Sequence, residues 1–162
     1  MLQLTKRTEY GLIALVHMAD QEGRVVSVRE IGERYPVPRR LLAEVLKDLS
    51  HAGLVESQRG ASGGYALSRS PDEITLAQVV SSLEGEPAIA NCEGHDVEPA
   101  EGCDIAPLCR IRSPLHRIRE GIWGLLERTT LRSLTHPSPL VHLNVPTVAS
   151  IHDAAGDPSP RT

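Results

Sequence analysis

The chain has 162 residues, 40% hydrophobic and 23% charged, which suits one soluble domain, or a small domain with an arm, and excludes fibrous and wholly disordered classes. Its 17 basic and 21 acidic side chains leave a net charge of -4; residues 1–80 balance 10 against 10 while residues 81–162 carry 7 against 11, so any basic patch is local. The apolar run Leu12 to Val16 ends at His17, too short for a signal-peptide core or a bilayer span, which points to the cytoplasm and to no membrane partner.

Residues 5–19 place Tyr10, Ile13, Ala14 and Val16 at mixed three- and four-residue spacing and predict a first helix, with Thr5 as N-cap and Glu9 on its first exposed turns. A short second helix starts at Ser27, where Glu30 completes a capping box, and stops at Pro36. Pro38 suits the first position of a third helix, over 38–51, with Leu41, Leu42, Val45, Leu46 and Leu49 as its apolar stripe and Gly53 closing its end. Arg39, Arg40, Ala43, Glu44 and Lys47 occupy the opposite face. Leu54-Val55 and Tyr65-Ala66-Leu67 flank a polar, glycine-rich stretch and read as a hairpin with Arg59 at its tip. Thr75 caps a fourth helix carrying Leu76, Val79, Val80 and Leu83, and Gly85 ends it. With no Phe, one Trp and three Tyr, the core must be aliphatic.

From Glu84 to Asp104 there are seven acidic side chains, no Lys or Arg, and no sustained period, so this stretch reads as a loop; it holds Cys92 and Cys103. Ser113 and Pro114 then look like the N-cap and first residue of a fifth helix, in which Leu115, Ile118, Ile122 and Leu125 form a seam for another helix. Five of the twelve prolines fall beyond His136, and residues 136–162 read as an arm, partly disordered. The expected fold is mainly α with a small β-hairpin: a winged helix-turn-helix DNA-binding domain over 1–85, a cysteine-containing cluster-binding loop over 86–112, and a long dimerisation helix over 113–135.

A helix-turn-helix pair works because its second helix lies in the major groove while the first crosses the phosphate backbone. Arg39, Arg40 and Lys47 reach phosphates or guanine edges, Glu44 suits a cytosine amino group, and Arg59 on the wing suits a phosphate or the minor groove. The partners expected are double-stranded operator DNA and a second copy of the chain.

Ten residues separate Cys92 from Cys103 and five separate Cys103 from Cys109. No zinc pattern with paired CxxC fits; soft thiolates suit an iron-sulfur cluster or zinc, and a thiol ahead of a helix N-terminus is favoured as thiolate. A set of disulfide-switching thiols is the alternative, and His95 and His116 are candidate fourth ligands. No Ser/His/Asp motif, phosphate-binding loop or dinucleotide fingerprint is present, so no enzyme is expected.

LTKRTEYGL at the start, EIGERYPVPRRLLAEVLKDLSHAGLVESQRGASGGYALS, and three cysteines followed by a long helix together resemble the IscR/NsrR-type (Rrf-two) family of bacterial transcription regulators, from about Leu2 to Leu134. The resemblance implies a homodimeric winged-helix repressor or activator that holds a 2Fe-2S or 4Fe-4S cluster and senses iron-sulfur status, redox state or nitric oxide. In the NsrR-type members an acidic residue just after the LTK-x-T stretch completes the cluster of the other protomer, which makes Glu9 the implied fourth ligand beside Cys92, Cys103 and Cys109. This chain departs from the IscR-like members in having Arg112 where they place a histidine. Its recognition helix, with Pro38, Arg40 and Ala43, also differs from theirs. The competing readings are a cluster-free thiol-switch repressor, a small iron-sulfur carrier and a zinc-stabilised interaction module.

Overall fold

The computed structural model describes residues 3–21, 23–60, 63–85 and 108–135. Cys92, Cys103, His95, the acidic loop around them and the C-terminal arm lie outside the described residues. Helix α1 (Lys6–Ala19) is capped by Thr5, whose hydroxyl accepts from the Thr8 amide at 3.4 Å. Helix α2 (Val28–Arg34) is capped by Ser27, which accepts from the Glu30 amide at 3.1 Å. The return half of the expected box is not made: Arg24 takes the Glu30 carboxylate instead. Helix α3 (Arg39–His51) begins one residue later than the sequence suggests, because Pro38 keeps an extended ψ of 115° as the N-cap.

Strands β1 (Val55–Gln58) and β2 (Gly64–Leu67) pair antiparallel, Val55 opposite Leu67 and Gln58 opposite Gly64. The strands extend into the stretch that the sequence assigns to a loose tip. Gly53 (φ +71°) turns the chain out of α3 and into β1. A backbone bridge from Val26 to Tyr65 fixes the hairpin to the segment before α2. Helix α4 (Leu76–Glu84) has a complete capping box between Thr75 and Gln78, missed in the sequence, and ends at Gly85 (φ +79°). Elements α1 to α4 and the hairpin form a winged helix-turn-helix.

The predicted helix over 113–135 is two helices. Helix α5 (Arg112–Arg128) starts at Ile111 without a side-chain cap, so Ser113 and Pro114 fall inside its first turn rather than at its boundary. Proline is tolerated there because first-turn amides have no intrahelical acceptor. The helix stops at Thr129, whose carbonyl accepts from the Leu76 amide at 2.8 Å while the Leu131 amide donates to the Ile74 carbonyl at 2.9 Å. These two bonds draw the backbone into an extended bridge between Thr75 and Thr130 and out of helical geometry. Helix α6 (Leu131–Thr135) follows, packed on α1.

The core is aliphatic, as the composition requires. Leu15, Met18, Ile31, Leu42, Leu46, Leu49 and Ile74 are fully buried, and so is Leu131. The winged unit is therefore completed by a residue far outside 1–85. By contrast, α5 buries none of its 17 residues and rests on α4. Among the described residues no helix is long and apolar enough to cross a membrane.

Candidate functional site

The apolar stripe of α3 puts Leu42, Val45, Leu46 and Leu49 in the core, which forces the opposite face outward. Arg39, Arg40, Glu44 and Lys47 are all exposed there. Arg40 is the most exposed of the set in its ion pairs, at 95%, and donates to Glu44 one turn on at 3.3 Å. Glu44 is thus engaged by a neighbouring cation in the absence of DNA. Arg39 leans the other way, its Nη2 within 3.7 Å of Glu33 on α2. No side chain caps α3, so its first amides and the positive end of its dipole remain open to an anion.

Arg59 follows β1 and is exposed. It lines an open cleft of about 550 Å³ between the hairpin and the start of α2, shared with Ser27, Arg29, Gln58 and Tyr65. Arg29 is the cation that sequence reading overlooked. Its spacing of four from Glu33 reads as an ordinary surface pair, and that pair is made, at 2.7 Å; only the folded hairpin reveals that Arg29 and Arg59 share one groove. Glu33 is held below the usual carboxylate range by the hydrogen bond and charge of Arg29.

Arg7 and Thr5 tie the start of the first helix to its neighbours. Arg7 pairs with Asp48 on α3, both about two-fifths exposed. At the start of α1, Glu84 Oε1 accepts from the Thr5 amide and the Thr5 hydroxyl, each at 2.8 Å. Burial pushes the Glu84 carboxyl up, but the donors of the first α1 turn outweigh this and hold it below its ordinary value. Glu84 is the last residue of α4, where the chain leaves for the cysteine segment.

Of the implied cluster ligands, two fall among the described residues. Cys109 is a free, half-buried thiol shortly before α5, between Leu108 and Arg110. Glu9 is half-exposed on α1, and its carboxylate takes the ammonium of Lys6, which is raised above its usual value by that hydrogen bond. An exposed ion pair of this kind is weak, so the Glu9 carboxylate is open to exchange of partner. His116 faces Glu120 in its own helix at 3.3 Å. Among the described residues no three His, Cys, Asp or Glu side chains assemble a metal site. A soft thiolate and a loosely held carboxylate are nonetheless the donor types an iron-sulfur centre accepts.

A second cleft, about 620 Å³, opens between α4 and α5 and is lined by Leu54, Arg69, Gln78, Ser81, Trp123 and Glu127 among others. Leu108 (86% exposed), Ile111 (63%) and Ile118 (52%) leave an apolar edge along the outer side of α5 and the turn before it.

A family model described as Rrf2, an iron-dependent transcriptional regulator, matches residues 4–137. Among solved structures, CymR, the global cysteine regulator of B. subtilis, is 32% identical with a TM-score of 0.65, covering 83% of this chain and 97% of that one. The oxidized form of Staphylococcus aureus CymR is 27% identical with a TM-score of 0.63, covering 85% of this chain and 98% of that one. IscR of T. potens is also 27% identical, with a TM-score of 0.62 and coverage of 82% and 85%.

Proposed function

Since the chain belongs to the Rrf2 family of iron-dependent transcriptional regulators, we propose that it is a cytoplasmic, homodimeric regulator that binds operator DNA through α3 and the wing and takes its signal from a cysteine-held iron-sulfur cluster. The observation that carries the DNA-binding half is the uncapped α3 with Arg39, Arg40 and Lys47 on its exposed face, flanked by Arg59 on the wing. Lys47 and Arg59 supply phosphate affinity, and base reading falls to the start of α3.

Cys92, Cys103 and Cys109 would hold the cluster, with Glu9 donated across the dimer as the fourth ligand. The cluster they would hold would supply an iron centre whose weakest ligand an oxidant or nitric oxide could displace. The chain's own residues then convert a change of Glu9 partner into a change at DNA. Glu9 shares α1 with Arg7, which grips Asp48 on α3, and with Thr5, which is tied to Glu84 at the head of the cysteine segment. A shift of α1 thereby reaches the recognition helix from one side and the sensing segment from the other.

Similarity to the cysteine regulator CymR of B. subtilis and to an oxidized form of Staphylococcus aureus CymR favours a second reading, a thiol switch without a cluster. The visible spectrum of anaerobically purified protein separates the two. Brown to red absorbance lost on replacing Cys109 supports the cluster. A colourless, metal-free protein whose DNA retention responds to thiol oxidants supports the switch. Failure to retain its own promoter DNA in a gel shift removes both and leaves a small iron-sulfur carrier if the protein is coloured, or a zinc-stabilised interaction module if it is colourless. Glu9→Ala should still acquire the cluster but lose it faster; if instead His95→Ala or His116→Ala does so, the fourth ligand is a histidine.

A further inference from the structure

Arg39 opens the recognition helix, yet its side chain runs back along α2 rather than straight out. A Cβ built on Gly32 would stand 3.0 Å from Arg39 Cγ and 3.4 Å from its Nε, so the arginine stem lies across the bare Cα of that glycine. Its Nη2 then comes to 3.7 Å from Glu33 Oε1, the same oxygen that accepts from Arg29 Nε at 2.7 Å. One carboxylate is shared by a guanidinium from each helix of the DNA-reading pair. Arg40, the next residue, has no such tether to α2 and bonds within α3 to Glu44.

We propose that Gly32 and Glu33 act together as a positioning device for Arg39, laying it along α2 so that it grips the DNA backbone at one phosphate and leaves Arg40 as the base-reading cation at the start of α3. Gly32 supplies the notch through which the stem passes, and Glu33 supplies the direction. The Arg39–Glu33 pair is exposed on both sides, 59% and 52%, so it biases the guanidinium without holding it against an arriving phosphate. Glu33 also adds one negative charge, which offsets part of the attraction that Arg29 and Arg39 offer to DNA of any sequence. Its effect is therefore to weaken indiscriminate binding more than binding at the site where Arg39 meets its own phosphate.

This inference rests on the DNA-binding reading above, and the experiment separates the two. Fluorescence anisotropy would follow wild-type protein and variants on two duplexes of equal length over a salt series: one selected by the wild type from a randomised library, and one scrambled. Glu33→Gln should bind the scrambled duplex about eightfold more tightly at 0.1 M salt, with the log-log salt slope steeper by about 0.9, the signature of one added phosphate contact. The selected duplex should gain less, so the ratio between the two falls. In an Arg39→Ala background the gain from Glu33→Gln should shrink to the part that Arg29 alone supplies. Gly32→Ala keeps every charge but fills the notch; it should lower the selected-to-scrambled ratio while thermal melting holds or rises, since alanine favours helix over glycine. A Glu33→Gln gain that persists in full without Arg39 makes Glu33 a general charge and overturns the proposal, as does a Gly32→Ala variant with an unchanged ratio. If the wild type binds neither duplex, the DNA-binding reading itself falls.

Discussion

Glu84 shows how much one carboxylate can join. It receives two hydrogen bonds from Thr5, caps the approach to α1 and ends α4. Because its folded pKa is lowered below the usual 4.5, the stability it lends is fully present above that value and is lost as pH falls through the folded one. Acid titration of the wild type should therefore loosen α1 before global unfolding, read as early hydrogen exchange of its amides, and Glu84→Gln should flatten that step. An identical acid profile in the variant would remove Glu84 as the cause. On the DNA side, Lys47→Ala should weaken all sequences alike and reduce the salt slope by about one unit; a loss confined to one operator position would make Lys47 a base reader. The sequence makes the local caps legible, since Thr5, Ser27 and Thr75 act within three residues of themselves. Glu30 is misread because its competitor, Arg24, lies across a turn, and Arg39's direction is invisible because it depends on the absence of a side chain at Gly32.

At the scale of elements, the wing is set by a close approach as much as by strand pairing. A Cβ on Gly64 would fall 2.4 Å from the Val26 carbonyl oxygen, a backbone atom that cannot swing aside. Gly64→Ala should cost about 2 kcal/mol or more and detach the hairpin from the segment before α2, seen as lower thermal stability together with weaker DNA binding. An unaltered melting curve would mean the bridge from Val26 to Tyr65 is dispensable. Leu131→Ala should be costlier, about 3 kcal/mol or more, because it empties a fully buried position shared by α1 and the α4 start. The sequence hides this role. No Gly or Pro between Leu126 and Thr135 marks an end to the helix, and only the tertiary bonds of Thr129 and Leu131 to the segment before α4 break it.

On the whole-molecule scale, α5 is an excursion from a domain that closes behind it: the chain leaves after α4, runs along α5 and returns through α6 to the core. An exposed helix with no buried residue and an apolar outer edge is costly for a monomer, and a second copy is the covering that the proposed two-fold operator recognition requires. Ile118→Asp, which alters a half-exposed side chain outside the core, should yield folded monomers in sedimentation and lose cooperative binding to paired half-sites. A dimer of undiminished strength would place the interface elsewhere. The fold class could be read from spacing alone. The sharing of one core by residues on both sides of α5 could not, since periodicity carries no information about which elements meet.

The placement of Trp123 gives the molecule a built-in optical report. The only indole in the chain stands half-buried in the cleft between α4 and α5, while the three phenols, Tyr10, Tyr35 and Tyr65, all belong to the winged unit. Emission from the indole therefore follows the seating of the excursion helix, and phenol emission follows the DNA-reading body. The two parts can be watched separately, in the native protein and without a label.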